Sequence, residues 1–304
     1  MKKISNLPET INSISGLHRK MSLPRPEHPL VSLIELQDIN IDAEDWNNVV
    51  LNYYNICLKK NVQGKMKYGQ HYYDFDEGLL SFIAPGQVVS VKEGDCEGTG
   101  LLLIFHPDLI RNYPLGKGIK HYGFFSYAVH EALHLSEREE AIMVTAMKNI
   151  RQEYSSPIDT YSQDILVSQI ELLLNYANRF YNRQFITRKT ASHDLLARLE
   201  EILFEHFNSG TLQNSRLPSV KAISDRLNVS PNYLSDVLRT VTGQSTQQHI
   251  HNRLIEKAKE ILATTSLSVS EIAYQLGFEH PQSFSKLFKS KTNTSPVEFR
   301  HSFN

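Results

Sequence analysis

Residues 220–245 read VKAISDRLNVSPNYLSDVLRTVTGQS, and residues 269–295 read VSEIAYQLGFEHPQSFSKLFKSKTNTS. The second stretch repeats the first. Val220 falls on Val269, Ile223 on Ile272 and Leu227 on Leu276; one extra residue in the second turn then sets Leu234 on Phe284, Leu238 on Phe288, Arg239 on Lys289 and Ser245 on Ser295. Leu234, Val237, Leu238 and Val241 recur at the spacing of one helix face. Phe284, Leu287, Phe288 and the stem of Lys291 repeat it, while Asn232, Ser235, Asp236 and Arg239 take the opposite side, as do Gln282, Ser285, Lys286 and Lys289. Asn228 and Gly277 follow the first helix of each copy, and Gly243 and Asn293 the second, where the chain needs a residue tolerant of positive φ. Ser230 before Pro231 has the form of an N-cap followed by proline at the first helical position. Two short helices across a tight turn, the second with one apolar and one polar side, form the helix-turn-helix that sets a helix into a DNA major groove. Two in tandem predict contact with two successive grooves.

The doubled segment resembles the C-terminal signature of the AraC/XylS transcriptional regulators. That signature stands as EIAYQLGFEHPQSFSKLFKSKTNTSPVEFR at 271–300, with Ile272-Ala273, Gly277-Phe278, Phe284, Phe288-Lys289, Ser295-Pro296 and Arg300 as its spaced elements. Upstream, Arg253-Leu254, Ala258 and Leu262 keep the same family's spacing. The chain departs from the pattern at Asn293 (usually Gly), Ser224 (usually Ala) and Asp236 (often basic or amide). The resemblance implies a sequence-specific DNA-binding regulator. Asn232, Ser235 and Asp236 are then expected to face bases in one groove, and Gln282, Ser283 and Lys286 in the next. Arg239, Lys289, His280 and Arg253 are expected at phosphates, Arg253 alternatively as a structural residue. Each of these polar residues also reads as ordinary solvated helix surface. A connecting helix at about 246–263, roughly 27 Å long, matches the ~34 Å turn of duplex between successive grooves.

The bulk numbers agree with a two-part chain. At 304 residues it is long enough for two cores. From Phe207 onward it carries 11 Lys/Arg against 7 Asp/Glu, and before that 21 against 26, so a mildly basic end is joined to an acidic body. Two cysteines, Cys57 and Cys96, make neither a disulfide framework nor a zinc pattern. The first residues lack the apolar core of a signal peptide, and no stretch approaches ~18 consecutive apolar residues. A cytoplasmic protein with no membrane association is expected.

Residues 1–48, with four prolines, read as irregular. From about Leu51 to Phe125 short apolar runs such as LLSFIA and GLLLIF alternate with turns at Pro85-Gly86, Gly94-Asp95 and Gly98–Gly100, a texture that suggests a barrel or a sandwich. The resemblance implies a cupin-like sensor barrel there, and YYDFDEGLLSFIAPGQV at 72–88 looks like the corresponding region of one subgroup. An effector is expected in this β region, with Tyr72, Phe75, Phe82 and Phe105 read as core rather than as pocket. Helices are predicted at 136–155, opened by Ser136 and Glu139 as a capping box, and at 159–183. The second carries a stripe of Ile165 or Leu166, Ile170, Leu173, Leu174, Ala177 and Phe180, which reads either as packing on the β region or as a dimer seam. The polar stretch TRKTASH, 187–193, reads as a linker.

The expected fold class is therefore α+β: an N-terminal sensor and dimerisation domain, 1–186, of a cupin-like barrel with flanking helices, then an all-α domain, 194–304, with helix-turn-helix units at about 219–243 and 268–293. Expected partners are double-stranded DNA and a second copy of the chain, with RNA polymerase and a small-molecule effector left open. The competing reading is a ligand- or partner-binding protein whose DNA module is secondary. HEALH at 130–134 has the H-E-x-x-H spacing of a zinc hydrolase, with Glu137, Glu140 or Glu153 as nominal third ligands. It reads more readily as a surface or packing segment, and no enzyme, metal or cofactor is expected.

Overall fold

The computed structural model describes residues 9–39, 46, 48–60, 66–68, 71–73, 78–89, 99–208 and 217–302. The chain divides into two compact units, Met1–Gln184 and Phe185–Asn304.

The first unit contains β1 (Glu9–Ile11), α1 (Ile14–Lys20), β2 (Val31–Glu35), β3 (Val49–Leu51), β4 (Tyr54–Lys60), β5 (Met66–Tyr68), β6 (His71–Tyr73), β7 (Leu79–Ile83), β8 (Gln87–Val89), β9 (Thr99–Phe105), α2 (Pro107–Ile110), α3 (Pro114–Gly118), β10 (Leu133–His134), α4 (Glu137–Tyr154) and the long α5 (Ser162–Thr187). Five strands form an antiparallel sheet in the order β10-β7-β4-β9-β2, three form a second sheet in the order β1-β3-β8, and β5 pairs with β6. Among the described residues no ladder joins the edge strands β10 and β2 into a closed barrel. β7 alternates as a half-buried strand does: Leu80 and Phe82 are buried while Leu79, Ser81 and Ile83 are half-exposed; β9 is instead buried from Gly100 to Phe105. Ile11, Ile14, Leu17, Trp46, Val49 and Ile104 share one buried cluster.

Residues 9–35, within the stretch expected to be irregular, supply β1, α1 and β2. Ser13 makes this possible: it caps α1, its hydroxyl accepting from the Gly16 amide at 3.1 Å. The turn at Gly86 has φ +82°, a region that suits glycine. Gly94, Asp95, Gly98 and Phe75 lie outside the described residues, as does the Tyr72 side chain; Phe82 and Phe105 are buried, as core.

The apolar stripe of α5 belongs to this unit's own core. Leu166, Ile170, Leu173, Leu174, Ala177 and Phe180 are all buried, so the stripe itself is not a dimer seam; Ile165, one of its alternative members, is instead 40% exposed. HEALH is not α-helical. His130 sits in a 3-10 turn, Val129–Glu131, and His134 in β10 opposite Leu79, so the two histidines share no helical face. Glu131 is buried and accepts from the Ala128 amide at 2.6 Å, and the His134 amide donates to Gln184 at 2.8 Å. The segment fastens the sheet edge to α5. Among the described residues no group of three or more His, Cys, Asp or Glu is placed to hold a metal ion, and no helix is long and apolar enough to cross a membrane.

The second unit contains α6 (Lys189–Asn208), α7 (Val220–Leu227), α8 (Pro231–Thr242), α9 (Thr246–Thr264), α10 (Val269–Gln275), α11 (Pro281–Thr292) and α12 (Pro296–His301). The expected linker, 187–193, is helical except at Arg188. TRKTASH is polar but holds no helix breaker, and the buried Ser192 donates its hydroxyl to the Phe185 carbonyl at 3.0 Å, tying the start of α6 back to the preceding turn.

Candidate nucleic-acid interface

Serines begin most helices of the second unit. Ser219, Ser230, Ser245, Ser268 and Ser295 each accept, through the side chain, an amide hydrogen bond from the first turn of α7, α8, α9, α10 and α12. Such caps satisfy amides that a helix leaves unpaired. At Ser268 and Ser295 a glutamate three residues on closes the capping box, and hydrogen bonds from the serine hydroxyl and amide hold Glu271 below the ordinary glutamate range. α11 differs from these five: its N-cap is His280, with no side-chain cap. The left-handed positions fall at Asn228, Gly243, Gly277 and Asn293, with φ of 57°, 74°, 87° and 60°, where the sequence places its turn residues. The two reading helices thus start and stop at fixed points.

α9 organises the rest. It packs against α6 and α8 and against α10, α11 and α12, burying Ile250, Leu254, Ala258 and Leu262. α8 buries Leu234, Val237 and Leu238, and α11 buries Phe284 and Phe288. Each second helix therefore turns its apolar stripe inward and leaves a polar face outward. On α8 that face shows Asn232 and Arg239, with Asp236 half-exposed; on α11 it shows Gln282, Ser283, Lys286 and Lys289, and His280 lies exposed at its start.

Several expected contacts are already engaged within the protein. Ser235 is half-buried, its hydroxyl 3.0 Å from that of the buried Thr246; it joins α8 to α9 instead of facing outward. The Asp236 carboxylate accepts from the Arg239 guanidinium at 2.9 Å along the same helix. Arg253 bonds Glu256 at 3.0 Å, with its guanidinium 5.6 Å from the centre of the Phe204 ring, the structural role left open for it. Lys291, expected to pack its stem with Phe284 and Phe288, is exposed and donates to Asn252 of α9 at 3.1 Å. Asn252 in turn donates to Gln244, just past the end of α8, at 2.8 Å. One side chain on α9 therefore reaches both helix-turn-helix units. No sequence periodicity points to it. Burial and then the Lys291 charge push His251, next to it, below the ordinary histidine pKa. Arg300 donates to the carbonyls of Leu262 and Leu267, fastening α12 to the end of α9.

Ser224, on α7, is fully buried and its hydroxyl has no hydrogen-bond partner. An unsatisfied buried hydroxyl costs about 1–3 kcal/mol, and alanine is the better helix former. Ser224→Ala is expected to stabilise the second unit by about 1 kcal/mol, measured by urea denaturation of the full-length chain. Destabilisation would show that the hydroxyl is bonded after all.

These features define a helix-turn-helix DNA-binding protein. A family model described as a helix-turn-helix domain matches residues 223–302. The chain is 25% identical over 289 residues to an uncharacterized HTH-type transcriptional regulator, YfiF, of Bacillus subtilis, covering 89% of this chain and 86% of that one. It is 26% identical over 174 residues to the HTH-type transcriptional activator RhaS of Escherichia coli, covering 57% of this chain and 58% of that one. Among solved structures, the C-terminal domain of AraT, a response regulator from Geobacillus stearothermophilus, aligns with a TM-score of 0.31 and 28% identity over 36% of this chain and 84% of that one. Residues 223–302 form an AraC-type helix-turn-helix domain, and the chain is a DNA-binding transcriptional regulator. It is not an enzyme, and a ligand- or partner-binding role with a secondary DNA module is not favoured.

Proposed function

We propose that α8 and α11 enter two successive major grooves of a specific DNA site. Asn232 and Asp236 face base edges in the first groove, and Gln282, Ser283 and Lys286 in the second. Arg239, Lys289 and His280 lie toward phosphates, while Ser235 and Arg253 serve packing. The observation that carries this reading is the repetition itself: the same unit occurs twice on one strut, each time with the second helix buried on its apolar side and open on its polar side. The strut, α9, has 19 residues, roughly 28 Å, close to the ~34 Å between groove faces one duplex turn apart.

Lys286 lies one turn after Gln282 on the open face and reaches guanine O6 or N7; Lys289 lies toward the helix end and reaches only backbone. Lys286→Ala is therefore expected to cost ~1–3 kcal/mol on a selected site and to relax preference at one base pair. Lys289→Ala should weaken every duplex alike and lower the salt slope by about one. Titration of both variants against a selected and a scrambled duplex over a salt series separates them. Equal losses on both duplexes for Lys286→Ala would remove it as a base reader.

In the same reading, 1–186 form a sensor and dimerisation domain with a cupin-like β part, and 194–304 form the DNA-binding domain. A second copy of the chain is assigned to an outward line on and before α5, where Ile158, Tyr161, Ile165 and Leu172 are 80%, 67%, 40% and 52% exposed; Ile165 and Leu172, seven residues apart on α5, share one helix face. A small-molecule effector is assigned to the β region of the first unit, and RNA polymerase is the protein partner a DNA-bound regulator meets at a promoter. The site of action is the cytoplasm, with the DNA.

A further inference from the structure

The two reading helices are charged differently. α11 carries Lys286, Lys289 and Lys291 and no acid, whereas α8 carries one acid, Asp236, and one base, Arg239, paired with each other at 2.9 Å. In a groove flanked by two rows of phosphates a lysine gains wherever it lands. A carboxylate does not. It is repelled by the backbone and by the acceptors at guanine O6 and N7, adenine N7 and thymine O4, and it finds a partner only at an exposed amino group. Adenine N6 stands beside the N7 acceptor, an edge matched by an amide, whereas the cytosine N4 amino group is the one that carboxylates accept from.

We propose that Asp236 determines the specificity of the first helix-turn-helix unit by accepting a hydrogen bond from the N4 amino group of a cytosine in the major groove. The proposal rests on the reading that α8 lies in that groove. Asp236 stands one turn after Asn232 on the open side of α8, and its side chain is 30% exposed, enough to meet a base edge. The Arg239 guanidinium holds one carboxylate oxygen in place and offsets its charge near the phosphates. The two units then divide the work: α11 supplies charge-driven affinity for any duplex, and α8 supplies rejection of wrong ones.

The test uses full-length wild type, Asp236→Asn and Lys286→Ala. Duplexes are selected by wild type from a random-sequence pool and then varied one base pair at a time. The expected result is one cytosine whose replacement weakens wild-type binding about tenfold to a hundredfold. Asp236→Asn should lose that preference or move it to adenine, which an amide reads through N6 and N7, with scrambled-duplex binding unchanged or tighter. A uniform gain on every duplex with the same sequence ranking would show that Asp236 only neutralises Arg239, and the proposal falls. It also falls alone if Lys286→Ala loses the selected duplex preferentially while Asp236→Asn keeps the wild-type ranking. If neither variant changes binding to any duplex, the placement of both helices in grooves falls, and this proposal with it.

Discussion

Leu173→Glu is expected to unfold the N-terminal unit, while Leu172→Glu, one residue earlier on the same helix, leaves it folded. Leu173 is 0% exposed and Leu172 52%. Removing a buried leucine side chain costs about 2–5 kcal/mol, and an unpaired carboxylate left in its place adds several more. That total is comparable with the whole stability of a domain, about 5–15 kcal/mol. Far-UV circular dichroism and protease resistance of the two purified variants decide the matter. A folded, protease-resistant Leu173→Glu would mean that α5 does not pack as described. The folded Leu172→Glu variant then tests the outward line: if wild type sediments as a dimer and this variant does too, the second copy docks elsewhere.

Phe288→Ala is expected to cost the second unit about 3–5 kcal/mol and to abolish binding to a selected duplex under conditions where Lys289→Ala only weakens it. The Phe288 ring is fully buried, 5.8 Å from Phe284 and 5.5 Å edge-on from Phe299. It holds α11 to α12 while the next residue faces outward. Urea denaturation monitored alongside DNA titration measures both losses. A loss no larger than that of an ordinary surface substitution, about 0.5 kcal/mol, would mean that this ring does not set the position of α11.

The tandem reader is legible because its signals are local. Apolar residues three and four apart, a serine before each of five helices and an asparagine or glycine after the helices all act within one or two helical turns, so Phe284, Ser230 and Asn228 declare themselves without tertiary information. The contacts of Ser235 and Lys291 are not legible. The sequence sets Ser235 on the polar side of α8 and the Lys291 stem on the apolar side of α11, and only the approach of α9 decides that Ser235 meets Thr246 and Lys291 meets Asn252. The stretch 187–193 misleads for the opposite reason: polar composition suggests a break, although helix ends depend on capping and on breakers, and Ser192 ties the turn instead. In the first unit, the apolar stripe of α5 fits self-packing and association equally well, because periodicity marks a buried face without saying what buries it. The β region shows its texture but not its ladder order, since strand pairing is a long-range property.

In the proposed mode of binding, Asn252, bonded at once to Gln244 and to Lys291, would make the protein a gauge of angular phase along the duplex. Base pairs rotate about the axis once in about 10–10.5 steps, so inserting about five between two otherwise matching half-sites turns the second to the far side of the DNA. A loose tether would forgive that. A strut whose own side chain bonds both units does not, and the proposed mode of binding would pass over tracts that hold both half-sites in the wrong rotational setting. Spacing then joins base identity as information, and chance occurrences of the two short motifs elsewhere in a genome compete less for the protein.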